Sequence, residues 1–166
     1  MRAIVVYESH WGNTEAVARA IADGIGPEAE AMTTDQATAA AAADADLIVA
    51  GAPVIAFGLP RDAMRDQIAA GGEKAPRPPD VSHPLLRTWL DGLPTSEGWG
   101  AAFETRIWWS PRGATGSIEA KLKKAGYRMA SKSERFIVDG AYGPLKDGEL
   151  ERARAWGASL GRAAGF

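Results

Sequence analysis

A short strand, a polar loop and a helix follow one another at the start of the chain, and this junction constrains the fold most. The strand is the apolar run Ala3–Tyr7, and the loop after it contains Ser9, Gly12, Asn13 and Thr14. Backbone N–H groups and the positive end of a helix dipole both face such a loop, so it suits an anion. Because the loop has no Lys or Arg, it favours a single phosphate ester over a polyphosphate bound with magnesium.

The same polar residues have a purely structural alternative. Ser9 could end the strand while Asn13 or Thr14 caps the following helix. Capping alone does not require Gly12 followed by two more polar residues, so we favour anion binding. The loop lacks the G-K-[ST] of a Walker phosphate loop, and the chain lacks the dinucleotide fingerprint G-x-G-x-x-G.

The composition predicts one globular domain over residues 1–166. No apolar run approaches the roughly 20 residues that span a bilayer, and no secretory leader precedes the first strand, so we expect a cytoplasmic protein without membrane contact. Cys is absent and the only histidines are His10 and His83. Disulfides and thiolate zinc sites are therefore excluded, and a histidine-based metal centre is disfavoured. A net charge of −2 with dispersed basic residues argues against nucleic-acid binding, and we expect a monomer or weak dimer.

Patterns typical of strands and helices alternate along the chain, which favours a parallel sheet covered by helices on both faces. Strands are predicted at residues 3–7, 28–32, 46–51, 99–108 and 134–138. Helices are predicted at residues 14–24, 60–70, 84–93 and 117–125, in an alanine-rich segment ending at 43, and after residue 147. The Gly- and Pro-rich residues 71–82 are predicted to form a loop. Together these elements predict a three-layer α/β/α sandwich around a five-stranded parallel sheet.

Polar side chains that can cap a helix N-terminus predict where three of the helices begin. The expected cap of the alanine-rich helix is Thr33, Thr34 or Asp35. Ser117 is expected to cap the helix at 117–125, and Asp147 the last helix. The last helix is expected to bury the stripe Leu150, Ala153, Trp156 and Leu160.

A second candidate segment, residues 51–60, directly follows the third predicted strand. In an open α/β sheet, ligands bind beyond the carboxyl ends of the strands at the switch point, which the first and third strands flank. Pro53 and Val54 therefore fall near the first loop. Phe57 could stack on a flat ring, and Gly58 would permit a backbone peptide to flip. The alternative is an apolar turn that packs on the following helix.

A third candidate segment, residues 108–117, follows the fourth predicted strand and reaches the same edge of the sheet. Adjacent residues of an extended segment point to opposite faces. We therefore expect one of Trp108 and Trp109 at most to face a ligand, and the other to be core. Arg112, beside Gly113, could reach a phosphate or a substrate, although it could equally be a solvated surface residue.

The sequence S-H-W-G-N-T of residues 9–14 resembles the phosphate loop T-x-T-G-N-T of flavodoxins, and the order of elements is similar to that family over nearly the whole chain. Residues 143–145 and 149–156 add a likeness to flavodoxin-domain proteins of actinobacterial type. The resemblance implies strand order 2-1-3-4-5 and non-covalent FMN, with its phosphate in the first loop. It further implies a flavin ring clamped between the second and third segments. There Phe57 would stack on the ring, and a peptide flip at Gly58 on reduction would let a carbonyl accept the N5 proton.

The chain departs from the flavodoxin pattern in three places. Trp11 replaces a hydroxyl residue of the phosphate loop, which removes one phosphate donor. Flavodoxins that carry electrons are usually strongly acidic, whereas this chain is close to neutral, so charge steering towards a partner would be weak. Residues 60–82 are interpreted as an added flap over the flavin edge.

The leading hypothesis is a flavodoxin-like redox protein that passes electrons through FMN to a partner protein or a small acceptor. One alternative is a flavin-dependent NAD(P)H:quinone reductase. His10 could act as a proton donor near a ligand, although a solvent-facing His10 is equally compatible with the sequence. The other alternative is a degenerate module without flavin, in which Trp11 fills the phosphate pocket. A phospho-receiver is excluded, because Glu8 lacks an acidic neighbour and G-A-P occupies residues 51–53.

Overall fold

The computed structural model of the protein describes residues 1–71 and 75–166. Its strands are β1 (Ala3–Tyr7), β2 (Ala29–Thr33), β3 (Leu47–Pro53), β4 (Trp99–Ile107), β5 (Arg128–Met129) and β6 (Glu134–Val138). Its helices are α1 (Asn13–Ile25), α2 (Ala39–Ala43), α3 (Asp62–Ala70), α4 (Leu86–Asp91), α5 (Thr115–Lys124) and α6 (Glu149–Ala164). Each predicted strand and helix has a counterpart among these elements. Part of the predicted loop at 71–82, residues 72–74, lies outside the described residues.

The sheet has the predicted parallel order, β2-β1-β3-β4-β5, and β6 also pairs with β4. The first two residues of β4 pair with β5, and residues 103–107 pair with β6. Both short strands therefore share one edge of the sheet, where a single fifth strand was predicted. The additional strand, β5, is only two residues long, which is too short for a hydrophobic period to reveal. The predicted fold class is confirmed.

Two apolar cores lie on opposite faces of the sheet. On one face, α1 and α6 pack against side chains such as Val5 and Phe103. On the other face, α2, α4 and α5 cover side chains such as Ile4 and Ile48. Ile4 and Val5 point to opposite faces because successive strand residues alternate. A central strand buried on both faces needs a nearly continuous apolar run, which is why β1 could be predicted to the residue.

Helices α1 and α6 approach each other closely through glycines. A Cβ built on Gly157 would lie 3.0 Å from the carbonyl carbon of Ile21, and one built on Gly24 would lie 2.8 Å from that of Arg154. The predicted end of the first helix at residue 24 is therefore one residue early, since Gly24 is inside α1 and serves packing. The close helix pair fixes α1, and with it the loop at the amino end of α1, against the sheet.

The predicted helix starts are wrong in three places. Helix α2 is capped by Thr38, whose hydroxyl accepts a hydrogen bond from Ala41 N, because residues 34–36 form a turn first. Helix α5 begins at Thr115, so Ser117 lies inside it, and α6 follows Gly148 instead of Asp147. In the predicted stripe of α6, Leu150 is 39% exposed, whereas the other three members are buried.

Among the described residues, no helix combines the length and the apolar character that crossing a bilayer would need.

Candidate functional site

The carboxyl ends of β1, β3, β4 and β6 surround a cavity of about 340 Å³. This volume falls within the roughly 300–1,000 Å³ typical of small-molecule sites. The cavity lies at the edge where ligands bind in open α/β sheets. Of the predicted site residues, seven line it: Ser9, His10, Trp11, Asn13, Thr14, Pro53 and Val54.

The first loop leaves the amino end of α1 open. Gly12 is the N-cap residue, with a left-handed φ of 93°, and no side chain of the described residues caps the helix. Ser9 Oγ accepts a hydrogen bond from Gly12 N at 3.1 Å, which holds the turn. The backbone N–H groups of Asn13, Thr14 and Glu15 donate to no described residue. Three such donors, together with the helix dipole, are the parts of an anion site.

Two hydroxyl groups lie beside these N–H groups. Thr14 Oγ1 is 2.8 Å from Thr105 Oγ1, and both residues are buried and line the cavity. A threonine hydroxyl can donate one hydrogen bond and accept others, so the pair retains capacity for a ligand. This end of the cavity is polar.

The loop after β6 lies over the first loop. Asn13 Nδ2 donates to Tyr142 O at 3.1 Å, and the rings of Trp11 and Tyr142 are 4.8 Å apart at 69°. Tyr142 also donates its hydroxyl to Gly71 O at the end of α3. The indole Nε1 of Trp11 is buried without a hydrogen-bond partner among the described residues. A buried N–H without a partner is costly, so this donor is a candidate for a ligand contact.

A buried charged pair lies beneath the loop. His10 Nε2 is 2.9 Å from Glu8 Oε2, and His10 Nδ1 is 2.8 Å from Asp80 O. Asp80 O can only accept, so Nδ1 donates to it, and a carboxylate at Glu8 favours the imidazolium form of His10, in which both ring nitrogens donate. Burial lowers the pKa of His10, but the hydrogen bonds to Glu8 and Asp80 outweigh it and the pKa is raised. His10 is 4% exposed, which contradicts the solvent-facing alternative.

The same pair binds a segment that we call the strap, residues 75–85, between α3 and α4. Asp80 N donates to His10 O at 2.8 Å, so His10 and Asp80 are joined by two hydrogen bonds. Glu8 Oε1 accepts from Leu86 N at 2.7 Å, just beyond the strap. His83, which is buried, faces Ser9 N through its Nε2 at 3.4 Å. In the described part of the chain, no group of three or more acidic or histidine side chains is arranged to hold a metal.

A second buried ion pair stands on β4. Arg106 lines the cavity, and its Nη1 is 3.1 Å from Glu104 Oε1. The other oxygen of Glu104 accepts from the backbone nitrogens of Ala114 and Thr115, at 2.6 and 2.9 Å. Glu104 therefore caps α5, and a Cβ on Gly113 would lie 2.7 Å from its carboxyl carbon. The structure places Gly113 against Glu104, outside the cavity lining.

The predicted aromatic residues are not in the cavity lining either. Trp108 and Trp109 are 77% and 56% exposed, so the prediction that one of them is core is wrong. Strand β4 ends at Ile107, and both indoles lie in a turn where strand alternation no longer applies. The ring of Trp109 is 6.3 Å from that of Phe57, which is 41% exposed. Arg112 is exposed.

Phe57 lies in a tight turn with unusual backbone angles. Ile55 and Gly58 exchange two backbone hydrogen bonds, of 3.0 and 3.1 Å. The two central residues, Ala56 and Phe57, have φ values of 48° and 64°. Positive φ at both central positions is typical of a type I′ turn, where Asn and Gly are preferred. The backbone strain therefore falls on Ala56 and Phe57, while Gly58 has an ordinary φ.

Several lining residues were not predicted from the sequence. They are Met64, Gln67 and Ile68 of α3, Thr105, Arg106 and Ile107 of β4, and Val138, Ala141 and Tyr142 from the end of β6 onward. The one available signal was the interpretation of residues 60–82 as a flap, which α3 and the strap match in position. The β4 and β6 residues reach the cavity only through strand pairing, which no local pattern encodes.

Comparison with known proteins gives consistent results. A family model described as Flavodoxin matches residues 5–156. A flavodoxin from the domain Archaea is 22% identical, with a TM-score of 0.69, and the match covers 100% of both chains. Flavodoxin 1 from Bacillus cereus is 19% identical, with a TM-score of 0.69, over 96% of this chain and 97% of that one. No curated protein matches the sequence.

The fold also occurs inside a larger chain. The flavodiiron core Flv1 from Synechocystis is 20% identical, with a TM-score of 0.66, over 99% of this chain but 36% of that one. Likeness at these identities shows a shared fold, whereas the family model spans most of the chain. With the phosphate-loop motif and the strand order described above, the conclusion is that this chain belongs to the flavodoxin family.

Proposed function

We propose that the protein is an electron carrier that binds FMN non-covalently in the cavity at the carboxyl edge of the sheet. The observation that carries this proposal is the amino end of α1, which no described side chain caps and which opens on the polar end of a cavity with largely apolar walls. FMN has the matching asymmetry, a phosphate at one end and a flat ring at the other. When bound, FMN would supply one- and two-electron chemistry.

The phosphate would be held at residues 9–14. Its oxygens would accept from the backbone N–H groups of Asn13 and Thr14 and from the Thr14 hydroxyl. Among the described residues, no protein acceptor competes for those two N–H groups. Trp11 replaces a hydroxyl residue, but its Nε1, which has no hydrogen-bond partner in the described part of the chain, would supply an N–H donor in return. The substitution that made the flavin-free alternative plausible thus leaves a donor for the same ligand.

The ring would occupy the apolar part of the cavity. Val54 after β3, Met64 and Ile68 of α3 and Ile107 of β4 line this part. Phe57, Gly58, Trp108 and Trp109 directly follow lining residues in sequence and would border the exposed edge of the ring. Arg112 and Gly113 would have no direct contact with FMN, because Arg112 is exposed and Gly113 packs against Glu104.

Electrons would leave at that exposed edge, to a redox partner protein or a small acceptor. The two hydrogen bonds of His10, to Glu8 and to Asp80, would hold the loop in place around the phosphate. No nicotinamide subsite is needed for a carrier of this kind.

Titration with FMN tests the proposal, with riboflavin as the matched ligand that lacks the phosphate. We expect FMN to bind with quenched flavin fluorescence, and riboflavin to bind clearly more weakly. Equal binding of the two ligands would remove the phosphate site from the proposal, and no binding at micromolar flavin would overturn it. Saturable NAD(P)H oxidation by the FMN-loaded protein would favour the reductase alternative over the electron carrier.

A further inference from the structure

We propose that Arg77, a residue of the strap, binds the phosphate of FMN and sets the preference of the site for FMN over riboflavin. This inference rests on the proposed function and adds to it the one cation that the phosphate loop lacks. It comes from a segment far from the loop in sequence, so the motif gives no sign of it.

The position of Arg77 is defined by Gly12. A Cβ built on Gly12 would lie 3.3 Å from Arg77 Cζ, and closer still to Nη2. The guanidinium group therefore occupies the space that a side chain on the N-cap residue would take. An N-cap side chain normally serves the free N–H groups of a helix. Gly12 has a ψ of −5° instead of the extended ψ of a usual N-cap, so Arg77 lies beside the N-cap backbone and not in the capping position. As a cation it cannot accept from the free N–H groups.

An anion bound by both the Arg77 guanidinium and the N–H groups of α1 would account for this arrangement. The guanidinium and the amino end of α1 are both positive, so without an anion they repel each other. Arginine offers several N–H donors in a planar fork that matches phosphate geometry. None of the ion pairs among the described residues involves Arg77, and its side chain is exposed.

Hydrogen bonds hold the strap that carries Arg77 against the loop. Arg77 is three residues before Asp80, which makes two backbone-level hydrogen bonds to His10 in the loop. Both Ser9 and Glu8 make further hydrogen bonds at the other end of the strap, to His83 and Leu86. The position of Arg77 thus follows from the contacts that join strap and loop.

The charges around Gly12 favour a dianion. His10 in its imidazolium form is compensated by Glu8 within the buried pair. Arg77, which no ion pair among the described residues neutralises, is then a cation beside the loop, and it would meet a phosphate at the surface, where salt screens the interaction. Its contribution should therefore fall as the ionic strength rises.

The test compares Arg77→Gln with the wild-type protein in titrations with FMN and with riboflavin, each at low and high salt. We expect Arg77→Gln to weaken FMN binding roughly tenfold at low salt, the lower end for a hydrogen bond to a charged group at an exposed site. Riboflavin binding should not change, and the salt dependence of FMN binding should become shallower. Arg77→Lys should restore part of the FMN affinity, since it keeps the charge without the fork.

Arg162→Gln is the matched control, because it makes the same change in net charge. Arg162 is exposed in the last turn of α6, which runs to the opposite edge of the sheet. FMN affinity in Arg77→Gln equal to that in Arg162→Gln would overturn the inference and leave the proposed function standing. An equal loss of affinity for FMN and for riboflavin in Arg77→Gln would also overturn the inference, because Arg77 would then act on the strap and not on the phosphate. Failure of the wild-type protein to bind FMN would overturn both.

Discussion

Gly12 shows how one residue can fix both a backbone turn and a ligand site. Its φ of 93° lies in the left-handed region, and the guanidinium of Arg77 fills the space beside it. Any L side chain at this position would be strained and would displace the cation. The sequence motif predicted a close approach of the backbone to an anion here, but not the arginine.

Gly12→Ala should therefore reduce both stability and FMN affinity. We expect the free energy of unfolding to fall by about 1–2 kcal/mol, the usual cost of a left-handed non-glycine residue, and FMN to bind at least tenfold more weakly. Urea unfolding and flavin titration measure the two effects. Gly116→Ala is the control, because Gly116 lies inside α5 with open space at its Cβ and should be slightly stabilised by the change. An unchanged FMN affinity in Gly12→Ala would contradict the phosphate site.

His10 makes stability depend on pH. Its pKa in the folded protein is above the ordinary value of about 6.5. The stabilisation is therefore fully present below about pH 6.5 and is lost as pH rises through the folded pKa. In urea titrations, the advantage of the wild-type protein over His10→Gln should be largest at pH 6 and shrink towards pH 9. At pH 6, breaking the buried pair should lower the free energy of unfolding by about 3–5 kcal/mol.

A change at Glu8 tests the same buried pair from its other side. Glu8→Gln removes the carboxylate that favours the imidazolium and should also flatten the pH dependence. If His10→Gln retained the wild-type pH profile, the imidazolium assignment would be incorrect.

At the scale of elements, the α1–α6 contact sets the orientation of the loop. The two helices touch through backbone at Gly157 and, more loosely, at Gly161. A Cβ at Gly157 would meet the Ile21 carbonyl group, whereas one at Gly161 would lie 3.3 Å from Ile25 O. The two glycines thus lie in one interface but differ in how closely the neighbouring helix approaches them.

Gly157→Ala should destabilise the fold by about 1–3 kcal/mol, as expected for overpacking of a tight contact. Gly161→Ala should cost clearly less, because its neighbour needs to move only slightly. Chemical denaturation of both variants measures the difference. Equal costs would mean that helix propensity, and not the approach of the helices, controls stability here.

Elements with their own local signal could be predicted, and elements held by distant partners could not. The apolar run of β1 predicted its strand to the residue, and the motif of residues 9–14 predicted the loop that lines the cavity. Helix α5 begins earlier than predicted because Glu104 caps it from β4. Trp108 and Trp109 were misplaced because β4 ends at Ile107. The strap reaches the loop only through contacts such as the one between His10 and Asp80.

At the scale of the whole molecule, ligand binding and folding are one equilibrium. The proposed FMN site draws on β1, β3, β4, α1 and α3, so an unfolded chain would retain none of it. A ligand that binds only the folded state stabilises it in proportion to the logarithm of its concentration. The near-neutral net charge of −2 adds little long-range attraction or repulsion to this balance.

FMN at a hundred times its dissociation constant should therefore stabilise the protein by about 2.7 kcal/mol. For a chain of this size that is a rise in melting temperature of roughly 5–10 °C. Calorimetry of the protein with FMN, and with riboflavin at equal concentration, measures the shift. An unchanged melting temperature in the presence of FMN would contradict the proposed cofactor.

The turn at residues 55–58 has a consequence for how this edge of the cavity responds to a ligand. Each non-glycine residue with a positive φ holds about 1–3 kcal/mol of strain, and Ala56 and Phe57 are two in succession. A rearranged turn without these positive φ values would recover that strain. Ala56 lines the cavity, so a ligand with even a modest preference between the two conformations would change their populations. We therefore expect the turn at residues 55–58 to be the part of the cavity wall that adjusts most readily to an occupant.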